Sequence, residues 1–525
     1  MQYKLGATLA VICLLASSEA LRALVMFPML SKSHGILGHG VVNRLLEAGN
    51  EVVHITSFPT KNLNPNLKEI DLSSLEKSFL EDAEKSGLFE LKNLIGKGNF
   101  ADSMFFIYFS FIMHQQFLDH PNVVELLNDP NEKFDVVILE WFFSETTAGI
   151  APLFQCPLIW FASTESHWQV LRLIDEVPNP AYTVDLFSDT KPPLSLWERS
   201  MELYKIVKKS LVLSVLYLFE RHLYNSVYTK IAAKRGVEMP SYSDAVYNGS
   251  LMFINSHPSI GSPFRLPQNA INIGGYHISD KPQPLPKDLQ KLMDEAKHGV
   301  IYFSMGSNAR SSTMSEDMKL SLLNIFGKLK ETVIWKFEAE LNNVPKNVHL
   351  INWAPQQSIL AHKNLKVFIT HGGLLSTTEA LYYGIPLIGM PIGADQNINM
   401  KTVENKGFGI KVTLAEDMAD ELSAAIKEML SNNTYKARAK ELSMIYHDRP
   451  LTPGAELVHW VNHVVNTRGA LHLRSPALQV PLYQKLYLDL LVVIALIVTV
   501  LCAAIRKVLS MSSMKKSLNK KEKRT

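Results

Sequence analysis

Short apolar runs alternate with amphipathic stretches along the chain, and their spacing predicts an α/β protein built twice over. Residues 23–27 read as a buried strand, 31–40 as a loop bearing Gly and His, 41–48 as a helix, and 51–56 as a second strand after Gly49-Asn50. That is a βαβ unit, whose parallel strands require a right-handed crossover. Gly35, Gly38 and Gly40 do not fit G-x-G-x-x-G, so a nicotinamide fingerprint is absent. Residues 134–139 and 157–160 supply further strands. Helical insertions lie between the strands, notably 196–235, rich in Leu, Tyr and Lys. Its apolar stripe suits packed core, the wall of a ligand pocket or membrane contact.

Lys281-Pro282-Gln283-Pro284-Leu285-Pro286 is a stiff linker, unsuited to helix or central strand. A second α/β repeat begins at residues 300–304 and ends near 412, followed by helices from 417 to about 468. Its densest part runs from Trp353 to Gln396. Residues 367–370 read as a strand, His371-Gly372-Gly373 as a turn, 376–383 as a helix and 385–390 as the next strand, with Asp395 and Gln396 just beyond. Glycines let backbone approach a ligand, and the helix N-terminus offers free N–H groups to a phosphate. In open α/β sheets such strand ends are where ligands bind.

Two hydrophobic segments lie outside this body. Residues 1–20 have Lys4, an apolar run and Ser18-Glu19-Ala20 as a small-x-small cleavage site, the pattern of a secretory signal peptide. Residues 486–505 match the roughly 20 residues of a bilayer span, with Asp489 at its lumenal edge. Charge sharpens this reading. The chain of 525 residues is only +3 overall, which gives no support for bulk binding to nucleic acid. The tail 506–525 carries eight basic residues against one acid, so it is +7 and the remainder −4. A basic tail after a span places the C-terminus in the cytosol. The three cysteines are Cys13 in the leader, Cys502 in the span and Cys156 in the body, which leaves no disulfide or Cys-based metal site there. Asn248-Gly249-Ser250 and Asn432-Asn433-Thr434 are glycosylation sequons at Asn248 and Asn432.

The extended pattern of Trp353, Pro355, Gln356, His371, Gly372, Gly373, Glu379, Pro386, Pro391, Asp395 and Gln396 resembles the signature of the UDP-glycosyltransferase family. The likeness is to its membrane-bound animal branch, and HGGLLS looks like the insect-type members. The resemblance covers nearly the whole mature chain. It implies a GT-B fold, two Rossmann-like domains facing a cleft, with a C-terminal transmembrane helix. The expected segments are a signal peptide (1–20), an acceptor-binding domain (21–280), a linker (281–286), a UDP-sugar domain with closing helices (287–470), a span (486–505) and a cytosolic tail (506–525). Lys521 and Lys523 form a KxKxx ending that resembles a dilysine signal for retrieval to the endoplasmic reticulum.

The implied activity is inverting transfer of a hexosyl group from a UDP-sugar to a hydroxyl of a small lipophilic acceptor, as in detoxification or in pigment or hormone conjugation. His34 is the expected general base, since histidine titrates in the useful range and Ser33-His34-Gly35 matches the family's catalytic position. His39 and His54 do not match it and receive no role. Glu140, five residues after Asp135, stands where the family places the acid that orients the base, usually Asp. Asp135 itself is expected to anchor its strand. The resemblance assigns His371 and adjacent amides to the diphosphate, with Ser304-Met305-Gly306-Ser307 as a second phosphate-facing turn. Trp353 would lie against uracil with Gln356 beside it, Glu379 would take the ribose, and Asp395 and Gln396 the sugar. Leu375 stands where vertebrate relatives often carry Asn, and Ser376 is the expected substitute contact to phosphate.

With no Asp-x-Asp motif beside these residues, neither a metal nor a cofactor is expected; the UDP-sugar is a co-substrate. Arg265 lies out of register with Gly274-Gly275 compared with glucuronate-using relatives, which favours glucose over glucuronate. The apolar segments 105–116 and 163–171, with Met113 and Trp168, suit a lipophilic acceptor or plain core. Association into homo- or hetero-oligomers is left open. Two rival readings stand beside the main one: an enzyme dedicated to a lipid or sterol, and a non-catalytic homologue that only binds lipophiles.

Overall fold

A computed structural model describes residues 20–60, 62–87, 90–95, 103–176, 179–188, 190, 192–261, 265–307 and 309–522. Nearly all of the leader and Lys523 of the dilysine ending lie outside the described residues. The body, residues up to Arg474, holds two sheets whose strands all pair in parallel. The first contains β1 (Arg22–Met26), β2 (Glu51–Thr56), β3 (Leu67–Asp71), β4 (Val136–Trp141), β5 (Leu158–Ala162), β6 (Gly249–Ile254) and β7 (Ala270–Asn272), in the order β3-β2-β1-β4-β5-β6-β7. The second contains β8 (Val300–Ser304), β9 (Thr332–Lys336), β10 (Val348–Ile351), β11 (Leu365–Thr370), β12 (Leu387–Gly389) and β13 (Gly409–Lys411), in the order β10-β9-β8-β11-β12-β13. Both are doubly wound sheets, and together they make the GT-B architecture.

The central strands are apolar on both faces, as parallel strands covered by helices must be; every residue of β4, β5, β6 and β8 is buried. The helices that matter below are α1 (Lys32–Glu47), α2 (Ser103–Asp119), α3 (Leu196–Arg235), α4 (Leu374–Tyr382), α5 (Gln396–Lys406), α6 (Ala419–Ser431), α7 (Asn433–His447), α8 (Pro453–Asn466) and α9 (Leu488–Glu522). The long insertion at 196–235 is one helix. Ser195 and Glu198 form a capping box at its start, and Gly236 at φ +66° ends it. It buries Glu202, Lys209 and Glu220, whereas Leu203, Tyr204, Leu211, Val215, Leu218 and Phe219 stay more than half exposed.

One expectation fails at α1. Residues 31–40 are not a loop; the helix starts at Lys32. Three glycines argue against helix by propensity, but packing overrides it. A Cβ at Gly35 would stand 2.6 Å from Phe58, at Gly38 3.2 Å from Phe27, and at Gly40 2.8 Å from Tyr276. The glycines let the helix lie close on its surroundings. Although α8 follows the second sheet in sequence, Leu457, Val461 and Val464 enter the core of the first, with Val25, Val41 and Ile138.

The remaining residues, from Ser475, form a separate compact unit. Residues 488–514 of α9 are long and apolar enough to cross a membrane, and the helix continues through the basic residues to Glu522. Asp489 sits in the first turn, where an acid suits the helix dipole.

Candidate functional site

Strand order reverses in each sheet between its first strand and the one that pairs on its other side: β1 with β4, and β8 with β11. The crevice outside the carboxyl ends of such strands is the natural ligand site. His34 follows β1, Glu140 is the penultimate residue of β4, Ser304 ends β8 and His371 follows β11. The predicted residues therefore gather at two switch points.

On the first side, His34 stands in the opening turn of α1, and its Nδ1 is hydrogen-bonded to Oε1 of Glu140. Glu140 is fully buried, while the His34 side chain is 17% exposed. A carboxylate oxygen accepts, so Nδ1 carries a proton, and in the neutral ring the lone pair is on Nε2. The imidazole packs edge-on against Phe142, with ring centroids 5.4 Å apart. Phe142 belongs to an aromatic group with Phe106, Phe143 and Phe187. The longer Glu side chain thus reaches the histidine. Asp135 does anchor its strand: it accepts the Arg22 N–H at 2.7 Å, tying β4 to β1.

On the second side, the His371 ring is held between two glycine turns. A Cβ on Gly306 would lie 2.5 Å from its Cε1, and one on Gly373 2.6 Å from its Nε2. Gly306 and Gly372 have φ of +85° and +79°, where a side chain is strained. Burial, followed by the charge of Lys336, pushes His371 down to about 4, so the imidazole is neutral at pH 7. Lys336 donates to the Gly306 carbonyl at 3.0 Å and to Glu338 at 2.6 Å, which braces the turn. Ser304 is inward rather than phosphate-facing: it is buried, and its hydroxyl accepts the Gly306 N–H. Ser307 lies half-buried beyond that glycine. No side chain caps α4 at Gly373, which leaves its opening amides available to an anion.

Trp353 is 62% exposed, and Lys32 of α1 sits over its ring, 5.5 Å from the centroid. Gln356 donates to Glu379 Oε2 at 2.6 Å and to Ser376 Oγ at 3.2 Å. Ser376 is therefore engaged by Gln356. Glu379 is buried and also accepts from Gln357 at 3.1 Å. Leu375 packs against the apolar core of the first half, so the position that is often Asn elsewhere is here a contact between halves. Gln396 Oε1 accepts the N–H groups of Ile392 and Gly393, clasping its own loop. Asp395 lies within electrostatic reach of His34, and burial raises its carboxyl above the usual range, opposed by the Asn399 amide.

Asn399, which sequence reasoning passed over, joins Asp395 Oδ2 (2.9 Å) to the Gly372 carbonyl (3.1 Å). Its position four residues after Asp395 on a helix was the available signal. Lys336 and Gln357 were missed as well, since only long-range contacts reveal them. Met113 and Trp168 are core residues, each nearly fully buried. Arg265 lines a surface pocket with Asp175 and Glu176. Asn248 is exposed and Asn432 caps α7, accepting from Thr434. Burial pushes the Cys156 thiol up to about 12.

The family model described as UDP-glucoronosyl and UDP-glucosyl transferase matches residues 23–525. The chain is 34% identical over 498 residues to UDP-glucosyltransferase 2 of Dactylopius coccus, covering 93% of this chain and 92% of the relative. It is 30% identical to human UDP-glucuronosyltransferase 3A2, covering 76% and 75%. Among solved structures it is similar in fold to spinosyn forosaminyltransferase SpnP, with a TM-score of 0.55, 14% identity, and coverage of 85% and 100%.

Proposed function

The chain belongs to the UDP-glucoronosyl and UDP-glucosyl transferase family, and on that premise we propose that it moves glucose from UDP-glucose, with inversion, to the hydroxyl of a small lipophilic acceptor. It is a UDP-glycosyltransferase, so a UDP-sugar and an acceptor are its substrates. The observation that carries the reading is the His34–Glu140 hydrogen bond at the first switch point, beside Asp395 of the second half. In the proposed step the acceptor oxygen bonds to the anomeric carbon as the bond from that carbon to the diphosphate oxygen breaks. The hydroxyl proton passes to Nε2 of His34, and Glu140 stabilises the resulting imidazolium. The opening amides of α4 and the Gly306 turn receive the charge that develops on UDP.

A neutral sugar is supported by the register of Arg265 against Gly274-Gly275, by its place in a pocket that Asp175 and Glu176 also line, and by the name of the Dactylopius relative. A lipophilic acceptor is supported by the Phe106, Phe142, Phe143 and Phe187 group adjoining His34. One C-terminal helix of spanning length supports a membrane anchor. With the leader and the KxKxx ending, that favours the endoplasmic reticulum with a lumenal body. Relocation of the full chain when Lys521 and Lys523 are both changed to Ala tests the retrieval signal.

The deciding experiment incubates the full-length protein in detergent with UDP-glucose or UDP-glucuronate and a phenol panel, reading released UDP. Release with UDP-glucose, abolished in His34→Ala while UDP still binds, is the expected result. Turnover that survives His34→Ala removes the base assignment, and preference for UDP-glucuronate removes the sugar assignment.

A further inference from the structure

His39, His54 and Glu69 converge from three elements of the first half. His54 is on β2 and Glu69 on the edge strand β3, directly opposite one another in register. His39 comes from α1, which packs over that face, its ring 5.1 Å from the His54 ring centroid to centroid. One ligand atom from each residue lies within 4.8 Å of the other two, and His54 Nδ1 stands 3.9 Å from Glu69 Oε1.

His54 is the observation that asks for a ligand. It is fully buried, yet neither ring nitrogen has a partner within hydrogen-bonding distance among the described residues; the Glu69 carboxylate, 3.9 Å from Nδ1, attracts it without closing a bond. Buried polar atoms are rarely left unpaired, because nothing replaces the lost water. We propose that His39, His54 and Glu69 bind one divalent transition-metal ion of the zinc class, which pins α1 to the edge of the first sheet.

Two imidazoles and a carboxylate are a donor set that zinc takes. At metal–ligand distances of about 2.0–2.2 Å, tetrahedral ligand atoms stand about 3.3 Å apart, so the cluster closes by side-chain movements of about an ångström. The surrounding bonds orient the ligands as metal sites require. His39 Nε2 donates to the Phe58 carbonyl at 2.8 Å, which leaves Nδ1 with its lone pair, and Glu69 accepts the Thr60 N–H at 2.9 Å. Burial holds both imidazoles below the ordinary histidine range, so they are neutral at pH 7. Glu69 is 13% exposed and His39 half-buried, which gives an ion a way in from the sheet edge. Gly38 is part of the arrangement, since a Cβ there would stand 3.1 Å from His54 Nε2. The ion would have no part in sugar transfer. It would fix the helix whose first turn carries His34.

The test uses the full-length protein, stripped with EDTA, exchanged into metal-free buffer and titrated with ZnCl2. A surface pair, His463 and His472, with Nε2 atoms 3.2 Å apart, can also take zinc. The parent and all variants therefore carry His472→Ala. The expected result is about one tightly held equivalent of zinc and a Tm raised by about 3 °C or more on zinc addition. Both are lost, with zinc binding at least tenfold weaker, in His39→Ala and in the isosteric Glu69→Gln. No retained zinc in the parent overturns the proposal, and so does zinc held equally by the parent and both variants.

Discussion

Oε1 of Glu140 meets Nδ1 of His34, while Oε2 of the same carboxylate has no hydrogen-bond partner among the described residues. The pair is anchored from one side only, by a residue with no exposure at all. Glu140→Gln keeps an acceptor near Nδ1 but removes the charge that balances the imidazolium. The expected loss is about 10²- to 10⁴-fold in kcat, the range of general-base assistance, with donor KM within a factor of three. Initial rates over a donor series measure both. A variant retaining more than a tenth of kcat refutes the orienting role.

Trp353 presents an exposed ring to the proposed nucleotide, and Lys32 already rests on it. Base–aromatic stacking is worth about 1–3 kcal/mol, so Trp353→Ala should weaken UDP binding by about 5- to 150-fold in calorimetry. An unchanged dissociation constant would move uracil elsewhere.

The turns around His371 tolerate no side chain. Gly306→Ala places a Cβ at φ +85° against the imidazole, a strain of about 1–3 kcal/mol. The expected outcome is a lower Tm and at least a tenfold fall in kcat/KM for the UDP-sugar. Full donor kinetics in a folded Gly306→Ala would show that His371 is free to move without consequence.

Several histidines make the fold sensitive to mild acid. Burial pushes His114 and His371 down to about 4, and His167 and His257 to about 3. Between those values and the ordinary 6.5, the unfolded chain binds more protons than the folded one, so stability falls as pH falls. Scanning calorimetry should show Tm dropping steadily from pH 7 to pH 5. A flat Tm over that interval contradicts the burial assignment.

Much of this was legible in the sequence, because the strongest signals were local. The strand at 300–304 and the helix at 196–235 fall where the apolar runs place them, and the HGG turn lies between strand and helix as read. The start of α1 was not legible: Gly35, Gly38 and Gly40 speak for a loop until Phe58 and Tyr276 are seen to require them. That error hid the placement of His34 on a rigid helical turn. The bracing of the glycine turns was hidden for another reason: Asn399 reaches Gly372 and Lys336 reaches Gly306 across 27 and 30 residues, and only the Asp395–Asn399 spacing was local. His39 and His54 looked idle because Glu69 completes their cluster from an edge strand that no motif marks.

The return of α8 to the first sheet sets a rule for building hybrids of this enzyme. Gly454 lies so close to Arg44 that a Cβ there would stand 2.5 Å from its Nε, and Leu457, Val461 and Val464 complete the apolar layer behind β1 and β4. A graft cut once at the proline-rich linker would leave that layer facing a foreign helix. A graft cut twice, exchanging 453–466 together with the first half, keeps the original partners. Chain continuity and modularity part company here, and acceptor preference should transplant only with the second kind of cut.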